Sequence, residues 1–286
     1  MFENRTIDRL DKMLDAALPG DFRESDYDET KLSRLETKWK RFLAASSLSK
    51  DALTREKENV KSLVSDISHQ TKTPMTNIRL YASLLEELIH KEENMFRQEE
   101  ALVMTKELIR QTEKLEFLIQ SLTKMSRLES NIVTVRPERQ KIAQLLSEVL
   151  EEAAMKAEKK GVHLRNEYMG NAEASFDFKW TKEALGNVVD NAVKYSPNGG
   201  VVALSVTEYE MYLAIGVKDT GSGIREEEIP KIFGRFYRAV EVSQEEGVGI
   251  GLYLTREILK KENGYVKVKS RPGNGSEFLL YLHKGN

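Results

Sequence analysis

Apolar residues recur every seven positions from residue 60 to residue 88. Val60, Ile67, Pro74, Tyr81 and Leu88 form one row, and Val64, Thr71, Ile78 and Leu85 form a second row four positions on, a seam imperfect at Thr71 and Pro74. Leu108, Leu115 and Leu122 continue the period after a polar stretch, His90 to Glu100, and are flanked by Met104, Leu118 and Met125. This spacing predicts two long helices, each with a narrow apolar seam, joined as a hairpin. One hairpin has too little seam to bury by itself. Pairing two hairpins into a four-helix bundle answers that, so a homodimer is expected. An intramolecular coiled coil is the alternative.

Two further zones flank the hairpin. Residues 1–50 are polar and helix-prone. Apolar spacing predicts one short helix around Ile7, Leu10, Met13, Leu14 and Leu18, and another around Leu32, Leu35, Trp39, Phe42 and Leu43, with Pro19-Gly20 between them. Residues 131–138 read as a linker carrying Pro137. Beyond it, helical stretches (Ile142 to Lys160, Lys179 to Tyr195) mix with β-rich runs at Val162 to Arg165, Val201 to Thr207, Tyr212 to Val217, Tyr265 to Ser270 and Glu277 to Leu282. Late strands joined by tight turns predict an α+β class with an antiparallel-rich sheet. The expected domains are therefore a helical N-terminal segment at 1–50, a helical hairpin at 51–130 and an α/β sandwich at 139–286.

Composition narrows the chemistry. The 286 residues suggest about two domains. Net charge is −2, which argues against a nucleic-acid binder. Without cysteine there is no disulfide, thiolate metal site or cysteine nucleophile. No apolar run approaches the ~20 residues of a membrane helix, and Met1 to Arg5 is charged at once, unlike a signal peptide. A cytoplasmic chain is expected, either free or as the cytoplasmic portion of a membrane-anchored sensor.

His69 lies two residues after Ile67, about 200° around the helix from the seam, so it should face solvent. Thr73 at i+4 shares its face, and Pro74 bends the helix just beyond. An exposed imidazole can offer a ring nitrogen to phosphorus at neutral pH. Taken alone, such a histidine is usually plain surface; His90, His163 and His283 have no comparable neighbourhood.

Roughly 120 residues later, Asn187 and Asn191 fall on one helix face, with Lys194 three positions beyond. Side-chain carbonyls there can join an incomplete Mg²⁺ shell finished by phosphate oxygens and water, and Lys194 can meet phosphate charge. Asp219-Thr220-Gly221-Ser222-Gly223-Ile224 follows a strand, where a carboxylate can accept from an exocyclic amine such as that of adenine. Gly247-Val248-Gly249-Ile250-Gly251-Leu252 opens onto an apolar helix, an arrangement that favours phosphate. Either loop alone reads as a turn; both together, after the asparagine pair, read as a nucleotide pocket. Neither matches the dinucleotide fingerprint or the P-loop.

From about residue 56 to the end the chain resembles the catalytic core of sensor histidine kinases of two-component systems. Ser68 to Pro74 resembles the H box, Asn187 to Pro197 the N box and Asp219 to Ile224 the G1 box. Phe233 to Arg238 resembles the F box, Gly247 to Leu252 the G2 box, and Gly273 to Phe278 a last glycine motif. The resemblance implies a dimerisation and phosphotransfer bundle followed by an ATP-binding fold of the gyrase and histidine-kinase type. It implies ATP and Mg²⁺ as cofactors, His69 as phosphoacceptor, and a response regulator receiver domain as external partner.

By position it assigns Asn191, helped by Asn187, to Mg²⁺, and Lys194 and Arg238 to the phosphates. Tyr195 would lie against the nucleotide and Asp219 would bind the adenine amine. Gly221 and Gly223 would shape that pocket, and Ser276 would sit near the adenine. Gly247, Gly249 and Gly251 would form a hinged lid, and Thr73 would guide a water in a phosphatase reaction. Two positions depart from the common pattern. Gln70 replaces the acid that usually follows the histidine; it can accept a ring hydrogen bond but is a negligible base, so slower autophosphorylation is expected. Val248 replaces a small hydroxyl residue in the lid, with a modest effect expected. A serine kinase or ATPase on the same pocket, and a catalytically silent dimeric scaffold, are the competing readings.

Overall fold

The computed structural model describes residues 31–89, 96–129, 135–239 and 247–285. The expected helix around Ile7 to Leu18, and the turn at Pro19-Gly20, lie outside them. The chain forms two units, Met1–His69 and Gln70–Asn286.

In the first unit the described residues are helical throughout, part of α1, Lys31–Ile89. The short helix expected around Leu32 to Leu43 is therefore not separate. Residues 44–50 (Ala-Ala-Ser-Ser-Leu-Ser-Lys) hold neither Gly nor Pro, so nothing stops the helix there. Val60 and Val64 remain exposed, while Ile67 is half-buried.

The second unit takes in the rest of α1 and α2, Phe96–Glu129. Pro74 lies within α1 and is buried. Thr71, Ile78, Tyr81, Leu85 and Leu88 are half-buried, so the seam follows the seven-residue period. On α2 the period emerges as Gln111, Leu118 and Met125, all buried, with Leu115 and Leu122 half-buried.

The sandwich then runs β1 (Glu138–Lys141), α3 (Ile142–Lys160), β2 (His163–Asn166), β3 (Glu173–Phe176), α4 (Phe178–Tyr195), β4 (Val201–Glu208), β5 (Tyr212–Asp219), a 3₁₀ turn at Glu226–Glu228, α5 (Gly251–Lys261), β6 (Tyr265–Ser270) and β7 (Ser276–His283). β1 pairs with β3, while the main sheet has the order β2-β4-β5-β7-β6. Only β2 with β4 is parallel within it.

Helix ends follow local chemistry. α3 stops at Gly161, whose φ of 70° suits glycine and whose N–H returns to the Ala157 and Glu158 carbonyls. α4 starts at Asp177, whose carboxylate accepts from the Trp180 amide. Ile142, Leu145, Leu146 and Val149 of α3 and Leu185, Val188, Val189 and Ala192 of α4 are buried against the sheet cluster. Strand alternation supplies the other half of that core: Leu213, Ile215 and Val217 from β5, and Phe278, Leu280 and Leu282 from β7.

Within this unit α2 also packs on the sandwich. Leu128 joins Ala184, Leu254 and Ile258, with Trp180 and Val135 alongside. Leu118 joins Val248 and Ile250, with Leu115, Leu122 and Phe236 alongside.

Candidate nucleotide and phosphoryl-transfer site

The alternation that builds the sheet also places its most distinctive carboxylate. Leu213, Ile215 and Val217 face the helices, so Asp219, two positions on, falls on the same face at the strand's end. Ser276 and Ser270 reach that end by the same parity on β7 and β6, and pair with each other in the sheet register. Asp219 is 5% exposed. Its Oδ1 accepts from the Gly221 amide at 2.8 Å and from the Ser276 amide at 3.1 Å. Burial pushes its carboxyl above the ordinary range, and the two backbone donors pull it back. With both bonds on Oδ1, Oδ2 is left to accept from a ligand.

A cavity of about 540 Å³ opens above Asp219. Asn187, Asn191, Lys194 and Tyr195 of α4 line it, as do Gly223, Arg238, Gly247, Gly249, Gly251 and Ser276. Gly221 does not; it stands behind Asp219 and acts through its amide. Thus the residues singled out between Asn187 and Ser276 converge on one cavity or on its base. His69, Gln70 and Thr73 are exposed on α1, as the helical phase requires. Ser68 Oγ donates to the Val64 carbonyl at 2.8 Å, keeping its hydroxyl on the helix.

Two glycines carry strict backbone demands. Gly249 has φ 78°, and a Cβ there would stand 2.7 Å from the Tyr237 carbonyl oxygen. The glycine loop and the Phe233–Arg238 segment are thus in backbone contact. Gly223 has φ 73°, and a Cβ would fall 2.0 Å from the Arg271 carbonyl oxygen. Both close approaches require glycine.

Polar groups crowd the wall. Lys194 Nζ lies 3.1 Å from the Tyr195 hydroxyl and would meet a Cβ on Gly247 at 3.0 Å, which puts an ammonium beside the glycine loop. Asn187 Nδ2 is buried without a hydrogen-bond partner, and Gly251 packs against the same side chain. Two amide carbonyls without a carboxylate cluster form a sparse donor set, the kind Mg²⁺ completes with phosphate oxygens and water. Among the described residues no group of three acidic, His or Cys side chains could hold a metal by itself.

Sequence reasoning left several wall residues unnoticed or without a role. Glu228, 4% exposed, accepts from Arg225 at 2.9 Å and from the Tyr237 hydroxyl at 3.2 Å, and all three line the cavity. The Arg225 guanidinium holds the Glu228 carboxyl below its usual range. Phe117 of α2 also lines the cavity. Its only signal was an aromatic ring off the heptad seam. Phe236 adopts φ 58°, at a cost of about 1–2 kcal/mol for a non-glycine residue, and packs beside the Leu118 cluster. Val248 is 5% exposed within that cluster, so it serves packing as well as the loop.

Comparisons with known proteins agree with this geometry. Residues 59–131 match the family described as His Kinase A (phospho-acceptor) domain. Residues 176–286 match the family described as histidine kinase-, DNA gyrase B-, and HSP90-like ATPase. Sensor protein SrrB of Staphylococcus aureus (strain NCTC 8325 / PS 47) is 27% identical over 226 residues, covering 78% of this chain and 38% of SrrB. The chain thus spans well under half the length of that relative. Among solved structures, the Acinetobacter baumannii histidine kinase AdeS shares the fold with a TM-score of 0.60 at 20% identity, over 76% of this chain and 98% of that one. Histidine kinase ThkA, solved in complex with response regulator protein TrrA, shares it with a TM-score of 0.60 at 19% identity, over 91% and 68%.

A phosphoacceptor helical hairpin joined to an ATPase sandwich defines a histidine kinase catalytic core. Residues 59–131 and 176–286 thus carry the phosphoacceptor and ATPase domains of a sensor histidine kinase catalytic core. Among the described residues no helix is long and apolar enough to cross a membrane.

Proposed function

We propose that the chain is an ATP-dependent protein-histidine autokinase that passes its phosphoryl group to an aspartate of a response regulator. The observation that carries this reading is the convergence of Asn187 to Tyr195, Asp219 and the Gly247 to Gly251 loop on one cavity, in a chain whose phosphoacceptor-type helix exposes His69. Asp219 Oδ2 accepts from the adenine amine, with Ser276 beside the base. Tyr195 lies against the nucleotide, and Lys194 and Arg238 meet the phosphates. The amides of Gly247, Gly249 and Gly251, at the start of α5, follow the phosphate chain. Asn191, helped by Asn187, would hold Mg²⁺, which neutralises charge on the phosphate oxygens when bound.

A neutral ring nitrogen of His69 attacks the γ-phosphorus in line. The N–P bond forms as the bridging P–O bond breaks, and ADP leaves with that electron pair. The proton on the other ring nitrogen passes to water. Catalysis is mostly positioning and charge neutralisation. Gln70 can accept a hydrogen bond from the ring but is too weak a base to take the proton. Thr73 guides a water in the reverse duty, dephosphorylation of the regulator.

The same proposal divides the chain into a helical N-terminal segment (1–50), a dimerisation and phosphotransfer domain (51–130) and a catalytic ATP-binding domain (139–286). It makes the chain a homodimer working in the cytoplasm. The test is label transfer from γ-labelled ATP. Wild type should acquire acid-labile, base-stable phosphate, and His69→Gln should acquire none. Label retained by His69→Gln, or an acid-stable bond, would overturn the assignment.

A further inference from the structure

Phe117 belongs to the phosphotransfer hairpin by sequence and to the nucleotide cavity by position. It sits one residue before Leu118 of the α2 seam and is 52% exposed, yet it lines the cavity with Asn187, Val248 and Ile250. α2 is held against the sandwich beside this ring and again towards the helix end. Leu118, 2% exposed, packs against Val248 and Ile250 of the glycine loop. Ten residues on, Leu128 packs against Ala184, Leu254 and Ile258. At the helix end Glu129 Oε1 lies 2.6 Å from Arg235 and accepts from the Tyr253 hydroxyl at 2.6 Å. Arg235 in turn donates to the Tyr253 hydroxyl at 3.0 Å. The motifs assigned to nucleotide and metal lie on the sandwich; Phe117 does not.

We propose that Phe117 is a positioning residue of the nucleotide site that acts only while α2 is docked, so that ATP binding and docking of the hairpin helix are thermodynamically coupled. The inference rests on the ATP reading given above. A nucleotide gains affinity as its site closes around it, and pockets bury most of a bound ligand. The sandwich supplies the base and the phosphate loop, and the Phe117 ring supplies part of the remaining wall. Undocking α2 removes that ring and loosens Val248 and Ile250 of the same loop. By linkage, whatever factor docking adds to nucleotide affinity, bound nucleotide adds to docking. The sandwich therefore grips ATP most tightly while it also grips α2, and release of nucleotide favours release of the helix.

The experiment uses the full chain in a His69→Gln, Trp39→Phe background. No turnover occurs there, and Trp180, which packs beside Leu128, is the sole tryptophan and reports docking. Binding of a non-hydrolysable ATP analogue with Mg²⁺ is measured by calorimetry. Phe117→Ala should weaken binding about five- to tenfold. Leu118→Asp should weaken it at least as much and shift Trp180 emission toward that of an exposed indole. Glu129→Arg, which sets two guanidinium groups against each other, serves as a second undocking variant. In either undocked background, Phe117→Ala should bring no further loss. Unchanged affinity on Phe117→Ala, or the same loss in docked and undocked backgrounds, would overturn the coupling. A background protein that binds no nucleotide at all would instead defeat the ATP reading itself.

Discussion

The sandwich and the hairpin bury their apolar residues by different routes. The sandwich closes on itself: Ile142, Leu146, Val188, Leu204, Ile215 and Leu280 reach full burial in one cluster drawn from helices and sheet. The hairpin does not. Val60 and Val64 lie on its seven-residue rows yet remain 53% and 57% exposed, and Leu118 and Leu128 are covered by contacts with the sandwich. A sheet offers a whole face to the helices laid on it, whereas a helical seam needs another element laid along it. The hairpin is thus the part of the molecule built to be finished by something else.

The largest expected effect tests that contrast directly. If the chain pairs as proposed, Val60→Asp with Val64→Asp should convert that homodimer to a monomer. Each of the two valines, exposed in the single chain and covered in the proposed dimer, contributes about 1.5 kcal/mol of transfer energy, and placing carboxylates in the seam adds desolvation cost. The combined loss of about 4 kcal/mol or more corresponds to a roughly thousandfold weaker dimer. Light scattering reads the mass. ATP binding by the monomer should persist, because no cavity residue lies on those rows. A dimer of unchanged affinity would mean that the seam is completed some other way.

The same contrast explains what could be read from the chain alone. Ile142 to Lys160 is helical as expected, because an apolar stripe and a Gly161 stop are both local. Asp219 and Ser276 fall at the sheet's end because alternation is local too. β1 and β3 escaped notice: Glu138–Lys141 reads Glu-Arg-Gln-Lys, and such a strand exists only through its antiparallel partner. α1 runs on past residue 43 where a break was expected, because spacing shows where a helix has a face but not where it ends. Phe117 was illegible for the same reason as β1. Its neighbours Asn187 and Val248 arrive 70 and 131 residues later in the chain.

The sandwich's self-sufficiency extends to a buried acid, and that gives the second prediction. Glu262, at the end of α5, is 2% exposed. It accepts from the Asp177 amide and the Thr181 hydroxyl, both at 2.9 Å, where α4 begins. Burial raises its carboxyl from 4.5 to about 7, and the neighbouring Asp177 charge adds to the rise. A carboxyl raised in the folded state contributes stability that is present below about pH 4.5 and lost as pH climbs through about 7. At 1.36 kcal/mol per pH unit that loss is roughly 3 kcal/mol. Denaturant melts at pH 5 and pH 8 should show wild type losing about that much relative to Glu262→Gln, whose neutral side chain does not titrate. A constant difference between the two proteins across this range would show that Glu262 ionises as freely folded as unfolded.

The smallest effects belong where α2 meets the sandwich, because polar pairs there differ in how much water they exclude. Lys124 and Glu183 lie 2.7 Å apart with side chains 43% and 31% exposed. Arg235 and Glu129 lie 2.6 Å apart at 18% and 30%, and share the Tyr253 hydroxyl. Burial of that hydroxyl, reinforced by the Glu129 carboxylate, pushes its pKa up to about 12, so it remains a donor at working pH. Charge-assisted bonds in the less solvated cluster should make Glu129→Ala cost about 2 kcal/mol. Lys124→Ala should cost under about 1 kcal/mol, and that difference should vanish in 1 M salt, where the screening length is about 3 Å. If the two substitutions cost the same, and salt removes both equally, the Glu129 cluster is an ordinary surface pair. The apolar contacts of Leu118 and Leu128 would then hold the helix to the sandwich by themselves.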